Sequence, residues 1–211
     1  MKAVRLQLAT RTLANPRSPQ WSKVPAQSFS LSGTPLEAQP SRYIRTVWAG
    51  KQIGAVRRLE ARAAHNGRDL FFHLAWPDPA EDRGYGGGDV FPDAAAVIFP
   101  AGGEAAVPTV GSTDHPVQLW YWRADVNNGG RALLSHGLAA EEEIAGARVL
   151  AAGVWADGLW QAVIGRSMDL ASDGRLRPGA QRVAFAVWEG SSQERGSLFS
   201  HTRGWQELAI E

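Results

Sequence analysis

Three groups of residues carry types that could do chemistry: five scattered histidines, a glycine run at 84–88, and a tryptophan-rich segment at 108–125. His65 and His73 sit across a predicted hairpin, but no third ligand stands near them in sequence, so the spacing does not write a zinc site. Gly84-Tyr85-Gly86-Gly87-Gly88 has the flexibility of a phosphate loop, yet no Gly-Lys-Ser/Thr follows it. No Gly-x-Ser-x-Gly elbow is present, and His115, His136 and His201 fall into no triad spacing. With no cysteine in the chain, thiolate metal sites, iron-sulfur ligation, a cysteine nucleophile and disulfides are excluded. The densest segment is Pro108-Thr109-Val110-Gly111-Ser112-Thr113-Asp114-His115-Pro116-Val117-Gln118-Leu119-Trp120-Tyr121-Trp122-Arg123-Ala124-Asp125. A Pro/Gly loop there enters a strand that puts Trp120 and Trp122 on one face and Tyr121 on the other. A flat aromatic wall of this kind suits a sugar site, a planar cofactor pocket or a sheet core, and residue chemistry alone favours the core.

The elements that position these residues are strands. Nine tryptophans and 23 glycines against two methionines suit short strands and tight turns better than a helical bundle. Leu59, Ala61 and Ala63 alternate with other residues before Asn66-Gly67, and Leu70, Phe72, Leu74 and Trp76 alternate after it, which predicts a hairpin with a type I′ turn. A second hairpin is predicted over 149–164 around Ala156-Asp157-Gly158. Further strands are expected at 94–99, 117–123, 183–188 and 205–210, and one short helix at 137–147 with Glu141–Glu143 in its first turn. Residues 1–45, rich in Pro, Ser and Gln, read as an extended N-terminal arm, and Pro77–Gly88 as a loop. The fold class is therefore mainly β: an antiparallel β-sandwich, immunoglobulin-like or Greek-key, with one or two short helices, forming a single domain over 46–211.

The balance of 22 Lys and Arg against 21 Asp and Glu argues against nucleic acid or an acidic membrane as partner. The longest apolar runs, such as Val183–Trp188, are too short to span a bilayer, and the N-terminus shows no secretory apolar core.

Several segments occur in an order that resembles a known family: His65-Asn66-Gly67-Arg68-Asp69-Leu70-Phe71-Phe72, Trp76-Pro77-Asp78-Pro79, Phe91-Pro92-Asp93, Val97-Ile98-Phe99-Pro100, the loop and strand at 108–125, and Val183-Ala184-Phe185-Ala186-Val187-Trp188-Glu189-Gly190. Together, over residues from about 45 to 211, they resemble the γ subunit of ethylbenzene dehydrogenase and its relatives in dimethylsulfide dehydrogenase and chlorate reductase. The resemblance implies a β-sandwich carrying one haem b and docked on an iron-sulfur β subunit that is paired with a molybdopterin α subunit. Such a chain is not itself the enzyme but an electron relay to an external carrier. It also implies a periplasmic location, reached by co-export with a partner.

The family holds haem iron between a Met in a Met-Gly pair and a Lys ending the Trp-x-Trp strand; the matching positions here are Val110 and Arg123. Valine has no lone pair, and a guanidinium offers no free nitrogen to iron. Three readings stay open: substitute ligation by His115 and Met168, loss of haem with the fold kept as a structural subunit, or a poorly ligated porphyrin whose propionate pairs with Arg123. A carbohydrate-binding β-sandwich module is the alternative from another class. It requires Trp120, Trp122, Trp155 and Trp188 to face outward.

Overall fold

A computed structural model describes residues 1–126, 129–169 and 179–211. Twelve strands run in chain order: β1 (Lys2–Arg5), β2 (Gln27–Gly33), β3 (Arg58–His65), β4 (Asp69–Pro77), β5 (Ala94–Pro100), β6 (Val117–Arg123), β7 (Gly130–Ser135), β8 (Glu141–Ala156), β9 (Leu159–Ser167), β10 (Gly179–Trp188), β11 (Ser200–Thr202) and β12 (Gln206–Ile210). Two short helices, α1 (Thr10–Leu13) and α2 (Arg42–Val47), precede β3. The protein is mainly β, and among the described residues no helix is long and apolar enough to cross a membrane.

Hydrogen bonding links the strands in the order β1-β12-β10-β11-β2-β3-β4-β9-β8-β7-β6-β5, and two further pairings, β10 with β5 and β1 with β3, join the ends of that run back onto it. All pairs are antiparallel except those of β1, which lies parallel to both β12 and β3. Of the segment expected to be an extended arm, residues 2–5 and 27–33 are therefore strands of the sheet. Leu13, Trp21 and Val24 in the same segment cover Ala64, Phe71 and Val163 on the outward face of β3, β4 and β9. This explains why β4 is buried on both faces: Leu70, Phe72, Leu74 and Trp76 point to the central core, while Phe71 lies under the N-terminal segment.

The central core takes alternate residues from both sides of the closed sheet. Ala95, Val97 and Phe99 of β5, Trp120 and Trp122 of β6, and Val183, Phe185 and Val187 of β10 meet Phe72, Trp76 and Trp160. Their rings interlock: Trp76 stacks on Trp160 at 6.2 Å between centroids, and Trp122 meets Trp160 edge-on at 5.1 Å. Each such pair adds roughly 0.5–1.5 kcal/mol beyond its area burial.

Three local expectations change. The second turn is the type I′ one: Ala156 pairs with Leu159, and Asp157 and Gly158 both have positive φ, 52° and 74°. At the first hairpin only Gly67 does, and Asn66 instead accepts hydrogen bonds on Oδ1 from the N–H groups of Arg68 and Asp69. Of the helix expected over 137–147, residues 137–140 instead form a turn and 141–147 belong to the first half of the 16-residue β8, whose Glu141, Glu142 and Glu143 pair with Ser135, Leu134 and Leu133. The free edge of β7 outweighs the acidic first-turn preference, since a strand there satisfies a whole row of backbone groups.

Gly153 on β8 lies so close to the aromatic core that a methyl there would come 2.1 Å from Trp122 Cζ2, whereas Gly84 has nothing within 4 Å. Gly153→Ala should cost about 1–3 kcal/mol in a denaturant titration, and Gly84→Ala should stay within about 0.5 kcal/mol.

Candidate functional site

Strand alternation sends the other set of β5, β6 and β10 side chains to the outer face of the same layer. Ala94, Ala96 and Ile98, Val117 and Leu119, and Ala184, Ala186 and Trp188 form a second apolar cluster there with Val107, Val110, Leu133, Leu138 and Phe199. The cluster leaves a groove along β6. One part, about 280 Å³, is lined by Leu119, Tyr121, Arg123, Arg131, Leu133, Glu141, Trp188 and Gly196. The adjoining part, about 330 Å³, adds Tyr85, Phe91, Glu194 and Arg195 to Tyr121, Arg123 and Trp188. Each part is near the lower end of the roughly 300–1,000 Å³ that small-molecule sites occupy.

The walls are aromatic and cationic. Tyr121 meets Trp188 edge-on at 5.4 Å, Trp188 packs on Phe199 at 4.7 Å, and the Trp188 indole N–H donates to Gly196 O at 2.9 Å. Arg195 lies 4.0 Å over the Phe91 ring. Arg123 is held as a two-pronged fork on Asp125, with Nε–Oδ1 at 2.6 Å and Nη2–Oδ2 at 2.9 Å, and this pairing raises its pKa further. Burial pushes the Tyr121 phenol up to about 12, so it remains a neutral hydroxyl.

Val110 and Arg123 are brought to this one face, near opposite ends of β6. Val110 is buried and shares the outer cluster with Leu119 and Trp188. Its φ is 48° and that of Gly111 is 85°, a left-handed pair that a β-branched residue rarely adopts. His115 and Met168 are not brought to the groove. His115 is exposed, on a turn that hydrogen-bonds with Ser112, and its ring lies against Gly103. Met168 packs at the edge of the central core, beyond the end of β9. His65 and His73 occupy opposite faces of their hairpin: alternation puts His65 on the side of Ala61 and Ala63, while His73 stacks with Trp21 at 5.3 Å.

For the haem b implied by the sequence resemblance, the groove offers aromatic walls in Tyr121 and Trp188, while its guanidinium groups are already engaged, Arg123 with Asp125, Arg131 with Glu143 and Arg195 over the Phe91 ring. The iron donors do not fit. Neither Val110 nor Arg123 offers iron a lone pair, and the groove-lining residues include no His or Met; their side-chain oxygens are the phenols of Tyr85 and Tyr121 and the carboxylates of Glu141 and Glu194. The tryptophans that a sugar platform would need are internal: Trp120 and Trp122 lie in the central core, Trp188 is buried, and the partly buried Trp155 donates its indole N–H to Asp78 O at 3.0 Å.

A feature not foreseen in the sequence lies beside the groove, beneath the 78–93 loop. Asp78 follows β4, Asp93 precedes β5 and Glu189 follows β10; all three carboxylates are buried. Burial pushes Asp78 up to about 7, helped by the charge of Asp93, and Asp93 up to about 6 against hydrogen bonds from Gly190 N, Asp82 N and Trp160 Nε1. The nearby Glu194 is raised to about 7 by burial, although it accepts from the N–H groups of Gly54, Ala55 and Glu189.

The sequence profile described as ethylbenzene dehydrogenase matches residues 18–146, more than half of the chain. Chlorate reductase subunit gamma of Ideonella dechloratans is 31% identical over 209 residues, covering 96% of this chain and 82% of that protein. A Haloferax mediterranei protein, ORF7, provisionally named a respiratory nitrate reductase heme subunit, is 32% identical over 184 residues, covering 85% of this chain. This chain spans 62% of that relative's length. In architecture it is similar to a family 9 carbohydrate-binding module of Caldicellulosiruptor kristjanssonii solved with glucose: TM-score 0.56, 8% identity, 100% of this chain and 95% of that one. At that identity the likeness is one of fold.

The raised carboxylates set a pH dependence. A group whose pKa rises on folding stabilises the fold below its unfolded value, and that contribution is lost as pH climbs through the folded value. With Asp78 and Glu194 at about 7 and Asp93 at about 6, protein kept in EDTA should lose stability from about pH 4 to pH 7 and then level off. The loss should be of the order of a few kcal/mol by chemical denaturation, and Asp78→Asn should flatten the curve.

Proposed function

The chain belongs to the ethylbenzene dehydrogenase family, and we propose that it is the γ-type accessory subunit of a molybdopterin and iron-sulfur oxidoreductase, kept as a structural subunit whose groove does not grip haem iron. Substrate chemistry takes place in its partners, an iron-sulfur β subunit and a molybdopterin α subunit. The observation that carries this reading is the chemistry at the two ends of β6. Arg123 lines the groove, and Val110 is buried in the apolar cluster on the same side of the layer near the other end of β6; of these two positions, which the resemblance matches to the family's ligands, the first is committed to Asp125 and the second has no donor atom. The left-handed backbone at 110–111 supports a loop geometry kept after its ligand was replaced, because nothing about a buried valine calls for φ of 48°.

The closed sheet is best read as a flattened sandwich with the central core as its filling, and residues 1–45 as a segment laid along it rather than a separate unit. Two exposed tyrosines, Tyr43 on α2 and Tyr85 on the 78–93 loop, lie in the segments that we assign to the partner-facing surface. Tyrosine supplies large contact area at low entropic cost, and it is enriched where partners dock. The sugar-binding reading has only the fold likeness behind it: among the described residues the large exposed apolar side chains are Tyr43, Val47, Tyr85 and Val126, with no tryptophan.

Co-expression with the genes for the iron-sulfur and molybdopterin chains tests the assignment. We expect the three chains to purify together as an active complex without a stoichiometric b-type Soret band. Tyr43→Glu with Tyr85→Glu should reduce co-purification at least tenfold. A γ chain that stays a free monomer beside its partners, or one that carries a full complement of haem b, contradicts the proposal.

A further inference from the structure

The three segments Trp76-Pro77-Asp78-Pro79, Phe91-Pro92-Asp93 and Val187-Trp188-Glu189-Gly190 are far apart in sequence, yet each delivers one carboxylate to the same buried point. The antiparallel register of β10 on β5, which pairs Trp188 with Ala94, sets Glu189 beside Asp93. One carboxylate oxygen from each of Asp78, Asp93 and Glu189 lies within 4.8 Å of the other two.

How each acid spends its oxygens decides what the point can hold. Asp93 uses both: Oδ1 accepts from Gly190 N at 2.8 Å, and Oδ2 from Asp82 N at 2.9 Å and Trp160 Nε1 at 2.8 Å. Asp78 places Oδ1 on Ala80 N at 3.1 Å, and Glu189 places Oε2 on Ser192 N at 2.7 Å. That leaves Asp78 Oδ2 and Glu189 Oε1 without a hydrogen-bond partner, on residues only 1% and 5% exposed. The Trp76 indole N–H faces Asp78 without a hydrogen bond of normal geometry. No Lys, Arg or His among the described residues forms an ion pair with any of the three; the nearby Arg83 pairs with Glu81 and lies over the Trp160 ring at 5.0 Å.

Two free carboxylate oxygens buried beside a third acid with no counter-charge are costly unless something positive or protic lies among them. We propose that Asp78, Asp93 and Glu189 form a binding site for a divalent cation of the calcium type, which ties the 78–93 loop to the ends of β4, β5 and β10. Calcium takes oxygen ligands at about 2.3–2.6 Å, so oxygens on one ion stand up to about 5 Å apart, which the observed spacing meets. Three carboxylates also match the hard, oxygen-only preference of calcium, whereas a site without His or Cys is poor for zinc. The upward shifts of Asp78 and Asp93 agree with carboxylates lacking a counter-ion. The site is independent of haem, being made by residues outside the Val110–Arg123 groove.

The test uses the full chain, stripped with EGTA and melted at pH 7.5 with and without added CaCl2. Calcium should raise the midpoint by roughly 5–10 °C, saturably and reversibly with EGTA. Metal analysis after gel filtration should find near-stoichiometric calcium. Asp78→Asn with Glu189→Gln should abolish both effects while melting, in EGTA, no lower than the stripped wild type. The proposal is overturned if the wild type neither shifts nor retains calcium, or if the double variant shifts as much as the wild type. Should that variant fail to fold, the two wild-type measurements still decide.

Discussion

Strand side chains alternate between two faces, and on β5, β6 and β10 that alternation is what separates an aromatic interior from a ligand-sized groove. Trp120 and Trp122 face the core, while Leu119, Tyr121 and Arg123 face out. A slip of one residue in the pairing of β6 with β5 would exchange the two sets, burying a guanidinium and exposing two indoles. The penalty for that exchange fixes the register, through Val97 opposite Trp120 and Ala95 opposite Trp122. The floor of the groove is thus the reverse side of the packed core.

The two polar features of the molecule hang on this frame in different ways. Along the groove the charges are answered locally, as in the Arg123–Asp125 fork and the Arg131–Glu143 pair. Being largely exposed, the second of these contributes little to stability. At the strand ends, Asp78, Asp93 and Glu189 are answered only by neutral N–H donors. The first arrangement is satisfied as it stands. The second calls for a proton or a cation, and it ties a loop, two strands of the core layer and one strand across the core into a single electrostatic unit.

Much of the frame could be read from residues alone. Period-two alternation located β3 and β4 and set the two faces of β6, while short apolar segments between turn residues located β5, β10 and β12. The apolar run Val183–Trp188 told of a strand covered on both sides, and it is. What could not be read depends on partners distant in sequence. The Glu141–Glu143 run looks like a helix start until β7 offers it an edge, and β1 gains its strand character only from β12 and β3. The acid cluster was equally hidden: Asp78 read as a loop residue, and nothing local to Asp93 or Glu189 shows that the three meet. The family resemblance singles out Val110 and Arg123 as candidate replacements, but that both lie on the outer side of one layer is a product of the fold.

On the proposed reading, the groove persists as a scaffold without the side chains that would bind iron. Haemin titration of the wild type against the Val110→Met, Arg123→Lys double variant, followed by visible absorption, addresses it directly. Methionine is not β-branched, so it also suits the left-handed backbone at 110 better than valine. The double variant should give a sharp low-spin b-type spectrum with one haem per chain, and the wild type only weak, unsaturable absorption. A wild-type chain that gives the same low-spin spectrum, or a folded double variant that takes up no haem, would contradict the account.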